Sequence, residues 1–172
     1  MNKVILREIT IKDTDLIIKW RNSKAVNDNF IIRNKLTKKQ HLDWMKNKVN
    51  KGLVKQFIAV DVISGKPFAT TYLKDIDKKH NKAEYGIFIG EKDYRGKNYG
   101  QLITKLTMKY AFNTLKLNKV YARVLTYNKP SYNLFKKLGF TKDALLREDV
   151  KINNKYFDVY IMSLLRKNSN SN

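Results

Sequence analysis

The chain has 172 residues, 42% hydrophobic and 30% charged, which suits one compact domain with its own core and excludes a disordered chain. It has no cysteine, and this excludes a disulfide scaffold, a thiolate metal site and a cysteine nucleophile. A formal charge of +21, spread along the chain rather than massed in a tail, makes the body attractive to nucleic acid, ribosomes, anionic membranes or phosphorylated small molecules.

The opening MNKVILREIT lacks the apolar run of a signal peptide, and no stretch approaches about 18 consecutive apolar residues. No membrane span is therefore expected, and the cytoplasm is the default location. VILREI, Val4 to Ile9, alternates as a first strand. In TDLIIKW, Leu16, Ile17 and Trp20 fall at helical spacing behind a Thr14 or Asp13 cap. RNSKAVNDNFIIRN is polar with embedded aromatics and reads as a loop holding a short helix. LTKKQHLDWMKNKV carries a capping box, Thr37 with Gln40, and apolar positions at Leu42, Met45 and Val49. His41 reads as a helix-surface residue, and His41 and His80 lack metal-ligand spacing. KQFIAVDV, the turn SGKP and FATTYLKDI form a hairpin signal, followed by a strand at AEYGIFI, Ala83 to Ile89.

The next helix places Tyr99, Leu102, Ile103, Leu106 and Tyr110 on one stripe. KVYARVL reads as a strand, SYNLFKKLGF as a short helix closed by Gly139, and KYFDVYIMSLL as a last strand. No repeat, low-complexity linker or domain boundary interrupts this order. The expectation is a single α+β domain over residues 1–166 and a disordered tail over 167–172.

The segment EKDYRGKNYGQLITKLTMKYAF, Glu91 to Phe112, is unusual because two glycines stand immediately before an amphipathic helix. The first N–H groups of a helix have no internal partner, and the helix dipole adds positive charge there. Gly96 and Gly100 permit close approach of an anion to the main chain, while Arg95 and Lys97 add mobile charge. Neither G-x-G-x-x-G nor the P-loop pattern is met. What stands is Arg95-x-x-Asn98-x-Gly100, followed downstream by NKPSYNLFKKLGF, Asn128 to Phe140.

These two segments resemble the acetyl-CoA signature of the GNAT acetyltransferase superfamily and its Asn-x-x-Ala/Ser-x-x-Leu-Tyr-x-Lys-x-Gly-Phe segment. The closing LLREDVKINNKYFDVYIMSLL is similar to the branch containing ribosomal-protein N-terminal, spermidine and nucleotide-sugar acetyltransferases. The resemblance implies a mixed, mostly antiparallel sheet that splays between strands 4 and 5, flanked by helices, with acetyl-CoA as co-substrate and no metal. Asn98 takes the place of the first motif glycine; asparagine tolerates left-handed backbone angles best among other residues. The resemblance further implies that residues 95 to 100 (Arg95, Gly96, Lys97, Asn98, Tyr99, Gly100) hold the pyrophosphate. Phe88 and Ile89 would offer backbone groups to the pantetheine arm and thioester, and Asn128 would contact the cofactor.

With no cysteine, direct attack by a bound amine fits, and Glu84 is the candidate to take the amine's proton. Its bland reading is a cross-strand partner for a lysine. Phe135 stands where the family carries a proton-donating tyrosine, so Ser131, Tyr132 or water remain as donors to the leaving thiolate. For the acceptor, Trp20, Arg21 and Asn22 with HLDWM resemble amino-sugar acetyltransferases that act on a UDP-linked 4-amino sugar. In that reading Trp20 stacks on uracil, cations hold the diphosphate, and Glu148 is a further substrate contact. The bland reading makes Trp20 and Trp44 helix anchors in the core and Arg21 a surface ion-pair residue. A protein amine or a polyamine is the alternative acceptor, the latter disfavoured by the positive field. A non-catalytic nucleic-acid-binding domain is the reading from another class, supported by charge only. Either a monomer or a homodimer is compatible with the sequence.

Overall fold

Alternating strand segments assemble, in the computed structural model describing residues 4–168, into one seven-stranded sheet. The strands are β1 (Val4–Glu8), β2 (Lys55–Asp61), β3 (Pro67–Asp77), β4 (Lys82–Ile89), β5 (Lys119–Leu125), β6 (Thr141–Ile152) and β7 (Lys155–Leu165). They lie in the order β1-β2-β3-β4-β5-β7-β6, all antiparallel except the central β4–β5 pair. The helices are α1 (Thr14–Asn22), α2 (Lys24–Asn27), α3 (Lys38–Trp44), α4 (Tyr99–Lys109) and α5 (Lys129–Lys137).

Side-chain alternation along each strand gives the sheet two apolar faces. On one, Leu73, Tyr85 and Val120 pack with Met108 of α4 and Phe135 of α5. On the other, Ile58 packs with Ile17 and Trp20 of α1 and with Met45 just after α3. Burying each of these large side chains contributes about 1.5–3 kcal/mol. The expected capping box forms: Thr37 accepts the Gln40 N–H at 3.3 Å, and the Gln40 side chain accepts the Thr37 N–H at 2.9 Å. Arg7 grips Asp13 with two bonds of 2.8 and 2.6 Å, which ties the end of β1 to the start of α1.

Four expectations change. Residues 141–152 form a strand, β6, that the sequence reading passed over. The buried face of α4 is turned from the apolar stripe: Thr104 and Thr107 are inside while Leu106 is exposed. They turn inward because they are hydrogen-bonded there, Thr104 to the Tyr85 hydroxyl at 2.9 Å and Thr107 to Thr71 at 3.2 Å. His41 is buried rather than on the helix surface. Arg166–Asn168 form a 3-10 turn, so the expected tail is ordered at 167 and 168, and its remainder lies outside the described residues.

Trp20, only 1% exposed, lies flat beneath the end of β4. A Cβ on Gly90 would fall 2.1 Å from its indole ring, so only glycine fits there. The ring is enclosed and cannot move aside. Gly90→Ala is expected to destabilise the protein by about 2 kcal/mol through overpacking, read as a lower denaturant midpoint at unchanged slope.

Candidate active site

The parallel ladder between β4 and β5 has three pairs, ending at Glu84 and Tyr121, although β4 runs on to Ile89 and β5 to Leu125. Beyond Glu84 the strands part, and a cavity of about 520 Å³ opens between them and extends under the loop that follows α2.

The glycine-flanked loop enters from the end of β4. Asn98 has φ 63° and ψ 4°, the left-handed conformation that asparagine suits, and its side chain accepts from Gln101 at 2.8 Å. Gly96 is also left-handed, at φ 73°. Among the described residues, no main-chain N–H of residues 96 to 100 has a protein acceptor. Arg95 is not the mobile cation expected. Its guanidinium donates to the carbonyls of Ile89 at 3.0 Å and Gly90 at 2.7 Å, stapling the loop to the strand. Lys97 is exposed. The Tyr99 ring packs into the core against Phe68, so only its main chain faces the loop. Gly100 lies over α5, where a Cβ would meet Leu134 at an ordinary 3.4 Å.

Across the gap, Asn128 caps α5. Its Oδ1 accepts the Ser131 N–H at 3.2 Å, which leaves the side-chain amide N–H groups toward the cavity that both residues line. Phe135 is buried against Tyr85 at 5.8 Å, while Tyr132 pairs with Tyr160 away from the cavity. Ser131 is therefore the proposed proton donor that the fold brings to the cleft.

On the opposite wall, Glu84 lines the cavity and pairs with Lys74, its register partner on β3, at 2.9 Å. Burial works against charge on Lys74, but its bonds to Glu84 and then Asp75 outweigh this and raise its pKa above the ordinary lysine range. Phe88 lines the cavity too, edge-on to Phe30 at 5.5 Å. Tyr72 leans across β4, its ring atoms occupying the space where a Gly86 side chain would stand. Burial pushes its phenol pKa upward.

The acceptor-side expectations fare unevenly. Arg21 lines the cavity, buried, with its guanidinium 3.7 Å above the Phe30 ring and bonded to Asn27 at 2.5 Å and to the Ile32 carbonyl. Burial lowers its pKa, and among the described residues no carboxylate pairs with it. Trp20 cannot stack on a ligand, because it is enclosed and its Nε1–H donates to Glu91 at 2.7 Å. Asn22 instead brackets the Leu36 main chain, at 3.0 and 2.8 Å, and so shapes the loop. Glu148 is exposed on a bulge of β6, left-handed at φ 50°, with its N–H on Asp158, and does not line the cavity.

The reading from sequence missed Tyr72, Lys74, Gln56 and the buried face of His41. Only the glycine inside AEYGIFI hinted at the first of these, since an isolated strand glycine marks a close approach. A further tie joins the two walls: Arg33 and the Asp28 carbonyl both bond the Tyr127 hydroxyl, next to Asn128. Among the described residues lining the cavity, the formal charges are Arg21, Lys35, Lys74 and Arg123 against the single carboxylate of Glu84. No helix in the described residues is long and apolar enough to cross a membrane.

Comparison with known proteins accords with this geometry. Residues 3–141 match the model of the acetyltransferase (GNAT) domain family. An uncharacterized N-acetyltransferase, p20, of Bacillus licheniformis is 26% identical over 96% of this chain and 94% of its own length. The spermidine N(1)-acetyltransferase of Escherichia coli K12 is 32% identical over 55% of this chain, which spans only half of that enzyme's length. The crystal structure of spermidine N-acetyltransferase from Vibrio cholerae, in complex with CoA and spermine, superposes with a TM-score of 0.91. It covers 98% of each chain at 21% identity, a likeness of fold. The matched residues, the parted central strands and the open amide loop lead to one conclusion: the chain belongs to the GNAT acetyltransferase family and is an N-acetyltransferase that uses acetyl-CoA.

Proposed function

We propose that the loop of residues 96–100 holds the pyrophosphate of acetyl-CoA and that the enzyme acetylates a small anionic amine, a UDP-linked 4-amino sugar being the finer reading. The observation that carries the first part is the run of main-chain N–H groups without protein acceptors at the start of α4. Unsatisfied amides of this run, reinforced by the helix dipole at the start of α4, suit a phosphate bridge. Asn128 offers its side-chain amide from the other wall.

Acetyl-CoA supplies the activated acetyl group; the chain binds, orients and moves a proton. The edge of β4 beyond Glu84, at Phe88 and Ile89, is unpaired toward β5 and offers an N–H to the thioester carbonyl oxygen, where negative charge develops as the amine attacks. Glu84 receives the proton that the amine must shed. Lys74 keeps this carboxylate in place across the strand pair. Ser131 or solvent returns a proton to the thiolate, whose ordinary pKa near 8.5 makes departure without a dedicated acid tolerable.

The acceptor reading rests on cavity charge. A polyamine is the competing reading, favoured by the likeness to spermidine acetyltransferases. A polycation, however, would meet Arg21 and Lys35 with no carboxylate of the lining left free, since Glu84 is matched by Lys74, and Arg123 is matched by Asp149. A phosphate-bearing amine meets complementary charge at Arg21. A protein amine remains the alternative outcome of a substrate screen.

Three measurements test these assignments. CoA at about 100 times its Kd is expected to stabilise the wild-type protein by about 2.7 kcal/mol in thermal melts. Gly100→Val, whose Cβ would stand in contact with Leu134 at 3.4 Å, should abolish the shift while circular dichroism shows the fold retained; no shift with the wild type would remove the cofactor assignment. Glu84→Gln should cut kcat about 100-fold near neutral pH, with the deficit narrowing as pH rises and the amine deprotonates unaided. Superimposable pH–rate profiles would eliminate Glu84 as the base. In an amine panel read by CoA release, UDP-linked 4-amino sugars should be turned over and spermidine should not. Turnover of spermidine or of peptides alone reverses the acceptor reading.

A further inference from the structure

His41 is 2% exposed, yet it lines the acceptor end of the cavity. Its Nδ1 lies 3.1 Å from the Thr14 hydroxyl, and its Nε2 is the one buried side-chain N or O atom among the described residues with no hydrogen-bond partner. Such an atom costs about 1–3 kcal/mol, and folded proteins keep few of them without a use.

The proton on this imidazole can be placed by elimination. Thr14 is itself buried, and its hydroxyl has His41 Nδ1 as its sole hydrogen-bond partner among the described residues. Donating there satisfies the hydroxyl proton and makes Nδ1 the acceptor. Burial lowers the ring's pKa, and Asp13 offsets this only in part, so the ring is neutral and carries its proton on Nε2. The opposite tautomer would leave two buried groups unsatisfied, the Thr14 hydroxyl proton and the bare Nε2 lone pair, in place of one. His41 therefore presents an N–H donor with no acceptor.

Its surroundings define what could supply that acceptor. Gln56, Tyr72 and Gly86 are register partners on β2, β3 and β4, so Gln56 stands about 10 Å from the parting of the strands. Gln56 is held by Trp44 Nε1 at 3.0 Å, and all three of Gln56, Trp44 and His41 line the same end of the cavity. Along α1, Thr14 and Arg21 are seven residues apart, about 10 Å. The cavity thus carries in sequence a carboxylate at the splay, an unpaired buried guanidinium, and a buried neutral donor at the far end. That order matches an extended acceptor with an amine, an anionic middle and an uncharged oxygen-bearing terminus.

We infer that His41 is a specificity residue whose Nε2–H donates to a carbonyl oxygen of the base of a pyrimidine nucleotide, while Arg21 holds the diphosphate of the same ligand. This rests on the proposed acceptor class and deepens it by assigning the nucleotide half of the acceptor to the α1–α3 end of the cleft. A polyamine offers neither group.

The test uses UDP as probe on the full chain saturated with CoA, so that the amide loop is already filled. Calorimetry should show UDP binding that weakens about tenfold in His41→Leu and by less than about threefold in His41→Gln, which keeps a donor. CoA affinity should not change in either. Nitrogen-15 NMR of the wild type should show the Nε2-protonated neutral ring, with the Nε2 signal shifting on UDP addition. This measurement stands even if His41→Leu fails to fold. Unchanged UDP affinity in His41→Leu, a still Nε2 signal, or no UDP binding to protein that does bind CoA overturns the inference and leaves the cofactor assignment intact. Failure to bind CoA at all would instead overturn the proposed function.

Discussion

The parallel ladder between β4 and β5 closes over three residue pairs and then stops, and the cleft exists because it stops. Two central strands left unpaired carry main-chain groups that a continuing ladder would have satisfied. On the helical face, Phe135 of α5 packs on Tyr85, the first β4 residue beyond the ladder, and α5 is capped by Asn128, shortly after β5 ends at Leu125. The phenylalanine at a position where a proton donor was expected is thus part of the packing that meets the parted strands. The free edge of β4 then faces the cleft in which the proposed function places the acyl group, and the same divergence lets side chains from β3 and α1 reach it from the other side.

Most of the scaffold was legible because its signals are local. The Thr37–Gln40 box, the SGKP turn, the Asn98 substitution and the Gly139 stop each act within a few residues, and each forms as read. β6 was missed because it is an edge strand with two bulges and a mostly exposed face, so TKDALLREDVKI shows no clean alternation. The buried face of α4 was misplaced because Thr104 and Thr107 are inside by virtue of partners on β3 and β4, which composition does not reveal. The acceptor wall was least legible. Trp20 and Arg21 are adjacent in sequence, yet one lies sealed under Gly90 and the other lines the cavity. Only the three-dimensional register separates such neighbours.

Charge acts at two scales in this molecule. The overall excess of +21 supplies a long-range field that salt screens over roughly 8 Å at physiological ionic strength. Inside the cavity the cations differ in standing. Lys74 is matched by Glu84, and Arg123 by Asp149, whereas Arg21 is buried without a carboxylate and rests on Phe30 and main-chain oxygen. An unmatched guanidinium out of water is costly, and in the proposed function an anionic acceptor would supply its counter-charge.

The contact of Tyr127 with Arg33 and Asp28 has a thermodynamic consequence. Tyr127 precedes the residue that caps α5, while Arg33 and Asp28 belong to the loop roofing the opposite compartment. A molecule that orders one side of this bridge prepays part of the ordering on the other. Linkage then makes the effect mutual: whatever factor one ligand adds to its companion's affinity, the companion returns in full. Two substrates that never touch through their distal ends would still sense each other through one phenol.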